Sequence, residues 1–370
     1  MAKSKVYFTN FRTKAFGKSL LDKLKDLMKA AGMETIDFQG KFTAIKIHFG
    51  EYGNLAFLRP NFARAVADEV KRLGGQPFLT DCNTLYVGSR KNALDHLETA
   101  YQNGFNPYNT GCHIIIADGL KGTDDVAVPV PNGELVKNAR IGRAIMDADI
   151  VISLAHFKGH EMTGFGGAVK NLGMGSGSRA GKMEQHCDAK PQVHPDKCVG
   201  CGACAKACAH NGPTRVGKKM HIDHDKCVGC GQCIGACPKD AIEPNFYSEP
   251  GALDKKMAEY ALAVVNGRPS FNINIVMDVS PNCDCHCEND AAVVPDLGMF
   301  ASFDAVALDQ ACVDAVNVQP VLPNSSLAEK KHQKHDHLST SQPATNWQAQ
   351  LDHAQKIGLG VRDYELIEVK

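Results

Sequence analysis

Short apolar stretches alternate with amphipathic ones along much of the chain. "FTAIKIHFG" is followed by "RPNFARAVADEVKRLGG" and "QPFLTDCNTLY", and the scheme returns in "RIGRAIMDADIVISLAHFKGH" and "PSFNINIVMDVSP". Near-continuous Val, Ile, Leu and Phe runs of strand length mark strands buried on both faces. The amphipathic stretches between them mark helices that cover those faces. The pattern predicts an α/β body on a mostly parallel, doubly wound sheet. Pro60 near its start and Gly74-Gly75 at its end bracket one of the helices.

The strand ends carry polar residues. Lys46 and His48 are two apart and so on one face, Asp81 and Asn83 close a second run, and His156, Lys158 and His160 close a third at the same period. A fourth run ends at Asp278. Ligands of open α/β sheets bind outside the carboxyl ends of the strands. One shared polar site is therefore expected, with Lys46, His48, His156, Lys158 and His160 as candidate catalytic groups and Asp81, Asn83 and Asp278 as candidate substrate contacts. For any one of these residues alone, a solvated loop is the better explanation of the polarity.

The third run leads into "EMTGFGGAVKNLGMGSGSRAGKMEQH", whose seven glycines allow close approach to a ligand. It is not a phosphate-binding P-loop, because Met183 stands where Ser or Thr would hold magnesium. Nor is it a dinucleotide fingerprint, because Val169 replaces the last small residue. Lys170, Asn171 and His186 are candidate contacts for an anionic group, with a helix-surface role as the alternative.

Residues 189–246 break the pattern, with too few large apolar side chains for a core of their own. "CVGCGACAKAC" and "CVGCGQCIGACP" both read C-x2-C-x2-C-x3-C, and "DKCVGCG" recurs at 196–202 and 225–231. This segment resembles the two-cluster bacterial ferredoxins, a small α+β fold, in which three cysteines of one run and the fourth of the other hold each [4Fe–4S] cluster. The resemblance assigns Cys198, Cys201, Cys204 and Cys237 to one cluster, and Cys227, Cys230, Cys233 and Cys208 to the other. Ala209 stands where Pro238 follows the second run, which alters a turn without removing a ligand. Zinc knuckles are the alternative, weakened because their ligand pairs are more widely spaced. The expected organisation is a body at 1–188, a ferredoxin-like insert at 189–246 and the rest of the body at 247–370, with a polar loop at about 323–345.

Composition narrows the function classes. Lys plus Arg equals Asp plus Glu at 41 each, so no charge imbalance argues for nucleic acid or an anionic membrane. The chain has no run of eighteen apolar residues, and "MAKSKVYFTN" lacks the apolar centre of a signal peptide, so a soluble cytoplasmic protein is expected. In that setting fifteen cysteines point to metal binding or catalysis before disulfides. Cys283, Cys285 and Cys287 in "PNCDCHCEND" are two apart and meet at one ligand only if the segment bends, which Pro281-Asn282 permits. With Cys187 or a histidine they are candidates for a third metal or cluster; a redox-active dithiol and a structural role are the alternatives. Cys82, Cys112 and Cys312 read as buried small hydrophobes, Asp304 and Asp309 as carboxylates at a helix start, and His332, His335 and His337 as part of the solvated loop. Trp347 and the apolar pattern after it are expected to dock the C-terminus on the body.

"KIHFGEYGN", "RPNFARAV", "LTDCNTLY", "AHFKGHEMTGFGGAVKNLGMG", "CDCHCENDAAVVPDLGMFASFDAVALDQACVDAV" and "LDHAQKIGLGVRDYELI" together resemble the domain-of-unknown-function 362 family over nearly the whole chain. The resemblance implies an iron–sulfur protein of anaerobic metabolism and supplies no substrate. The leading expectation is an oxidoreductase that takes electrons from a redox partner protein and passes them through two [4Fe–4S] clusters to the polar site. There histidines shuttle protons and lysines stabilise negative charge. The alternatives are an electron carrier docking to a larger redox complex, and a non-redox lyase or isomerase with structural or sensing clusters.

Overall fold

A computed structural model describes residues 3–86, 88–186, 190–244, 251–330 and 336–370. The apolar runs become an eight-stranded sheet in the order Tyr364–Glu368, Ser4–Asn10, Gly298–Ser302, Ser270–Val276, Ile150–His156, Phe42–Lys46, Gln76–Asp81, His113–Ile116. Five of the seven pairings are parallel, and Gly298–Ser302 runs antiparallel to both its neighbours. Every residue of Ile150–His156 is buried, as a strand covered on both faces requires.

Alternate side chains divide between two cores. Ala44 and Val151 face helices Ala168–Ser176, Ala252–Val265 and Ala305–Asn317, while Ile45, Ile152 and Leu154 face helices Leu20–Ala30 and Pro60–Arg72. Ser270–Val276, Ile150–His156, Phe42–Lys46 and Gln76–Asp81 are four consecutive parallel neighbours. The polar residues that end these runs therefore start from one edge of the sheet.

Helix starts follow their capping residues. Ser19 and Asp22 form a reciprocal capping box on Leu20–Ala30, and Asp304 accepts the N–H groups of Val306 and Ala307. Asp309 departs from its expected place at that same start. It is buried one turn into the helix and accepts N–H from Ala168 (2.7 Å) and Val169 (2.9 Å), capping the neighbouring helix instead. Glycine is required at 167, where a Cβ would stand 2.3 Å from the Asp309 carboxylate.

Residues 190–244 form two short ladders, Gln192–Val193 with Ile242–Glu243 and Pro213–Val216 with Lys219–Ile222, plus helices Ala203–Ala207 and Gln232–Ala236. Their small core includes Cys198, Cys204, Cys233 and Cys237, and takes in Leu85 and Met183 from the body. Lys91 and Asp240 form an ion pair across the same junction (2.6 Å).

The C-terminal helix Trp347–Ile357 docks through Trp347, whose indole N–H donates to Asp336 and whose ring meets Phe165 edge-on. The polar stretch before it is not wholly solvated: His337–Ser341 is a helical turn with Leu338 buried and His337 bonded to the Gln319 carbonyl. His332, His335 and Cys187 lie outside the described residues. Among those described, no helix is long and apolar enough to cross a membrane.

Candidate functional site

The shared sheet edge opens into a cavity of about 680 Å³, a size suited to a small-molecule ligand. Lys46, His48, Asp81, His156, Lys158, His160, Lys170, Asn171 and His186 all line it. Two expected contacts do not. Asn83 is turned into the protein, where its amide donates to the Asp118 carboxylate (2.8 Å) and the Gly119 carbonyl (2.8 Å). Asp278 lies past its strand at φ 45°, half-exposed, with its carboxylate 3.5 Å from Arg59 on the outside of the molecule. The third run also breaks: its strand ends at His156, and Lys158–His160 forms a hairpin with Gly164–Gly166.

Buried ion pairs frame the cavity. The Lys46 ammonium lies 3.0 Å from the Asp81 carboxylate and donates to Asn171 Oδ1 (3.0 Å). Burial opposes ionisation of Asp81, but Lys46, His96, Lys182 and Arg90 outweigh it and hold the carboxyl below its usual range. Arg90 is fully buried between Asp81 (3.6 Å) and Glu51 (3.1 Å). Asp284 lies beneath the wall, 2.9 Å from His156 Nδ1 and 3.2 Å from the Lys158 ammonium. Burial raises Asp284, yet His156 and Lys158 bring it below the ordinary carboxylate value. His156 Nε2 meets the Met277 carbonyl at 2.7 Å, so both ring nitrogens face oxygen acceptors.

The remaining histidines are set up differently. His48 Nδ1 accepts the Gly50 N–H (3.0 Å), and burial, aided by Arg90, holds the ring well below its ordinary value, leaving a neutral imidazole with Nε2–H to donate. Burial likewise pushes His186 down to about 3. Lys182 spends one of its three donors on the Gly177 carbonyl (2.6 Å).

The Cys-x-Cys-x-Cys segment does bend. The Cys283 carbonyl accepts the His286 N–H (3.1 Å), closing a turn that brings Cys283 and Cys285 to the cavity. Their sulfurs and a ring nitrogen of His160 all lie within 4.8 Å of one another, close enough to hold a metal ion. Glu161, Cys285 and His286 form a second such group. Cys287 does not join either: it is exposed, with its sulfur 2.9 Å from Glu288. The Lys170 ammonium donates to Cys283 Sγ at 3.0 Å. A hydrogen bond from Cys285, and then Lys170 and His160 acting against burial, hold the Cys283 thiol well below its ordinary value. Cys285 is correspondingly raised, first by that bond and then by burial. Against its burial, His160 and His286 bring Glu161 down to about 2.

Glu51, Arg90, Glu161, Asp284 and His286 complete the surroundings without having been expected. Asp284 and His286 alternate with the cysteines, which was the available signal; the others lie in loops with no periodicity.

The eight cysteines of residues 190–244 separate into two groups, each at its own small cavity. Cys198, Cys201, Cys204 and Cys237 line one, and Cys208, Cys227, Cys230 and Cys233 line the other. Each quartet takes three sulfurs from one run and one from the other. Backbone N–H groups reach the sulfurs: Gly200 and Met220 to Cys198 (both 3.4 Å), Gly212 to Cys208 (3.4 Å) and Ala241 to Cys237 (3.3 Å).

No curated protein sequence matches the chain. Among solved structures it is similar to the lactate racemase apoprotein from Thermoanaerobacterium thermosaccharolyticum, at 11% identity and TM-score 0.43, over 80% of this chain and 56% of that one. It is also similar to a protein from Thermotoga maritima, at 13% identity and TM-score 0.38, over 79% of this chain and 57% of that one. The chain thus spans little more than half the length of either. The family described as Domain of unknown function (DUF362) matches residues 43–314, which take in both the cavity and the cysteine-rich segment, and the chain belongs to that family.

Proposed function

We propose that this protein is an iron–sulfur oxidoreductase in which residues 189–246 are a ferredoxin-like domain inserted in the α/β body. The carrying observation is the partition of eight cysteines into two crossed quartets, each around its own cavity with N–H donors on its sulfurs. The donor set fits iron–sulfur chemistry: all-thiolate quartets in this spacing are what [4Fe–4S] clusters require. A single zinc ion fits less well, since tetrahedral thiolates at about 2.3 Å from the metal stand under about 4 Å apart. Among the described residues, the groups tight enough for one ion lie elsewhere. Cys198, Cys201, Cys204 and Cys237 would hold one cluster and Cys208, Cys227, Cys230 and Cys233 the other, and bound clusters would supply one-electron transfer.

The body's own residues handle the polar substrate. His48 presents a donor N–H and Lys182 offers further donors to an anionic or carbonyl group, while Asn171 spends both amide hydrogens on the Lys46 carbonyl and Ser153 Oγ and so braces Lys46. Lys46 and Lys158 are committed to Asp81 and Asp284, so they fix the shape and charge of the wall. Helix Arg179–His186 joins the two parts: Arg179 lies against Gly231 and Gly235 of the second cysteine loop, while Lys182 and His186 face the cavity. Arg179 lies near Cys230 and Cys233, Lys91 of the body pairs with Asp240 close to Cys237, and a redox partner protein would meet the side where Cys201 is exposed.

Iron and acid-labile sulfide on anaerobically purified protein test this reading. About eight irons per chain are expected in wild type and about four in Cys233→Ser. Zinc in place of iron, or an iron content untouched by Cys233→Ser, overturns it.

A further inference from the structure

We infer that Cys283 and Cys285 form a redox-active dithiol, Cys283 the nucleophile and Cys285 the resolving thiol, that exchanges with small disulfides entering the cavity. The inference goes beyond the iron–sulfur reading and does not need iron in residues 189–246.

Three features carry it. The turn closed by the Cys283 carbonyl and the His286 N–H places the two cysteines at its first and third positions. A turn spans under about 7 Å from first to fourth Cα, so the first and third lie within the reach of a disulfide. Secondly, the Lys170 ammonium sits on Cys283 Sγ at 3.0 Å, where it stabilises a thiolate and repels a bound cation.

The third feature is the orientation of His160. A histidine that ligates a metal through Nε2 usually donates its Nδ1–H to an acceptor. Here Nδ1 instead accepts two backbone N–H groups, from Met162 (3.1 Å) and Thr163 (3.2 Å). The hydrogen then sits on Nε2, and a ring nitrogen of His160 lies within 4.8 Å of both sulfurs. That arrangement donates to a thiolate and denies a metal its nitrogen lone pair. Cys283 itself is almost fully buried, but it and Cys285 line the 680 Å³ cavity, which gives a small molecule access.

The exchange balances without a further reactant. The Cys283 thiolate attacks one sulfur of a disulfide R–S–S–R, forming Cys283–S–S–R and releasing RS⁻. Cys285 gives up its proton, which RS⁻ takes, and attacks Cys283 Sγ, forming the Cys283–Cys285 disulfide and releasing the second RS⁻. The dithiol is oxidised by two electrons and the incoming disulfide is reduced to two thiols.

The test treats anaerobic full-length protein with bis(2-hydroxyethyl) disulfide, quenches in acid, alkylates with N-ethylmaleimide and maps the cysteines by mass spectrometry. Metals are counted on the same sample. In wild type a Cys283–Cys285 bond is expected; in Cys285→Ser the probe's half stays on Cys283; in Cys283→Ser, Cys285 is alkylated and carries none of it. Both cysteines alkylated in wild type after excess disulfide overturns the inference. So does one metal ion per chain that is lost in Cys283→Ser, or a Cys283→Ser protein whose Cys285 captures the probe as fast as wild type. The wild-type arm decides the matter if a variant does not fold. An absence of iron would count against the iron–sulfur reading alone and leave the thiol result standing.

Discussion

Replacing Lys170 by Met removes the charge on Cys283 while keeping a side chain of similar length. The ammonium–thiolate contact is 3.0 Å, which at an effective dielectric of 20 corresponds to an upper bound of ~5.5 kcal/mol. Lys170 is only half-buried, so a hydrogen bond to a charged group, about 1.5–3 kcal/mol, is the better measure. At about 1.36 kcal/mol per pH unit, the Cys283 pKa should rise by about 1–2 units. Cys285 and His160 remain to hold the thiolate, so the shift should not exceed that.

The assay is the rate of Cys283 alkylation by iodoacetamide against pH, read by mass spectrometry. Reactivity follows the thiolate fraction, while intrinsic nucleophilicity rises with pKa at a slope of about 0.4–0.5. For a shift of ~1.5 units the variant should react roughly sevenfold more slowly below both pKa values and roughly fivefold faster above them. The two profiles should therefore cross, and Lys170→Arg should restore the wild-type curve. A parallel drop at every pH would mark mere structural damage, and superimposed profiles would refute a role for Lys170 in holding the thiolate.

Further expectations concern the frame of the cavity. Asp284→Asn leaves His156 and the Lys158 ammonium without their buried counter-charge, at a cost of about 3–5 kcal/mol; denaturant unfolding should show it, and a loss under 1 kcal/mol would refute the pairing. Burial pushes Asp254 up to about 8. The folded carboxyl then binds its proton more tightly than the unfolded one, so stability is full below about pH 4 and declines as pH rises toward 8. Asp254→Asn should flatten that decline, gaining more in melting temperature at pH 8.5 than at pH 5, and an equal gain at both would rule the effect out. A Cβ at Gly159 would stand 2.3 Å from the Pro281 carbonyl. Gly159→Ala should therefore displace the Cys283 turn and slow Cys283 alkylation in a protein that still folds; an unchanged rate would show that the turn is held from elsewhere.

Much of this arrangement was legible from the chain. Buried strands announce themselves by uninterrupted apolar runs, and Lys46 and His156 were visible as the polar residues that end them. Strand order was not legible, since hydrophobic pattern says which segments are strands but not which strand pairs with which. The convergence of four strand ends therefore needed the structure. Asn83 was misplaced because the chain leaves the sheet after Asp81, so the alternation of a strand no longer governs where its side chain points. Asp278 was misplaced for the same reason, its positive φ turning the chain off the strand axis. Arg90 and Glu51 were missed because their meeting is a tertiary event between two loops. Position two apart made Cys283, Cys285 and Cys287 candidates for one site; all three line the cavity, but only the first two come together with His160, and Cys287 stays exposed beside Glu288.

Helix Arg179–His186 makes the cysteine-rich segment a fitted piece of the molecule. Deleting residues 190–244 would uncover Leu85 and Met183, which share that segment's core, and Leu85 is also a lining residue of the cavity. Grafting in a foreign segment would meet an equally local obstacle. Any residue larger than glycine at 235 would put a Cβ 2.7 Å from the Arg179 guanidinium, and at 231 the backbone sits at φ 69° with Arg179 and Met183 both 3.0 Å from a Cβ. The helix and the loop it touches must therefore change together, and an engineer seeking to replace the cysteine-rich segment should transplant both.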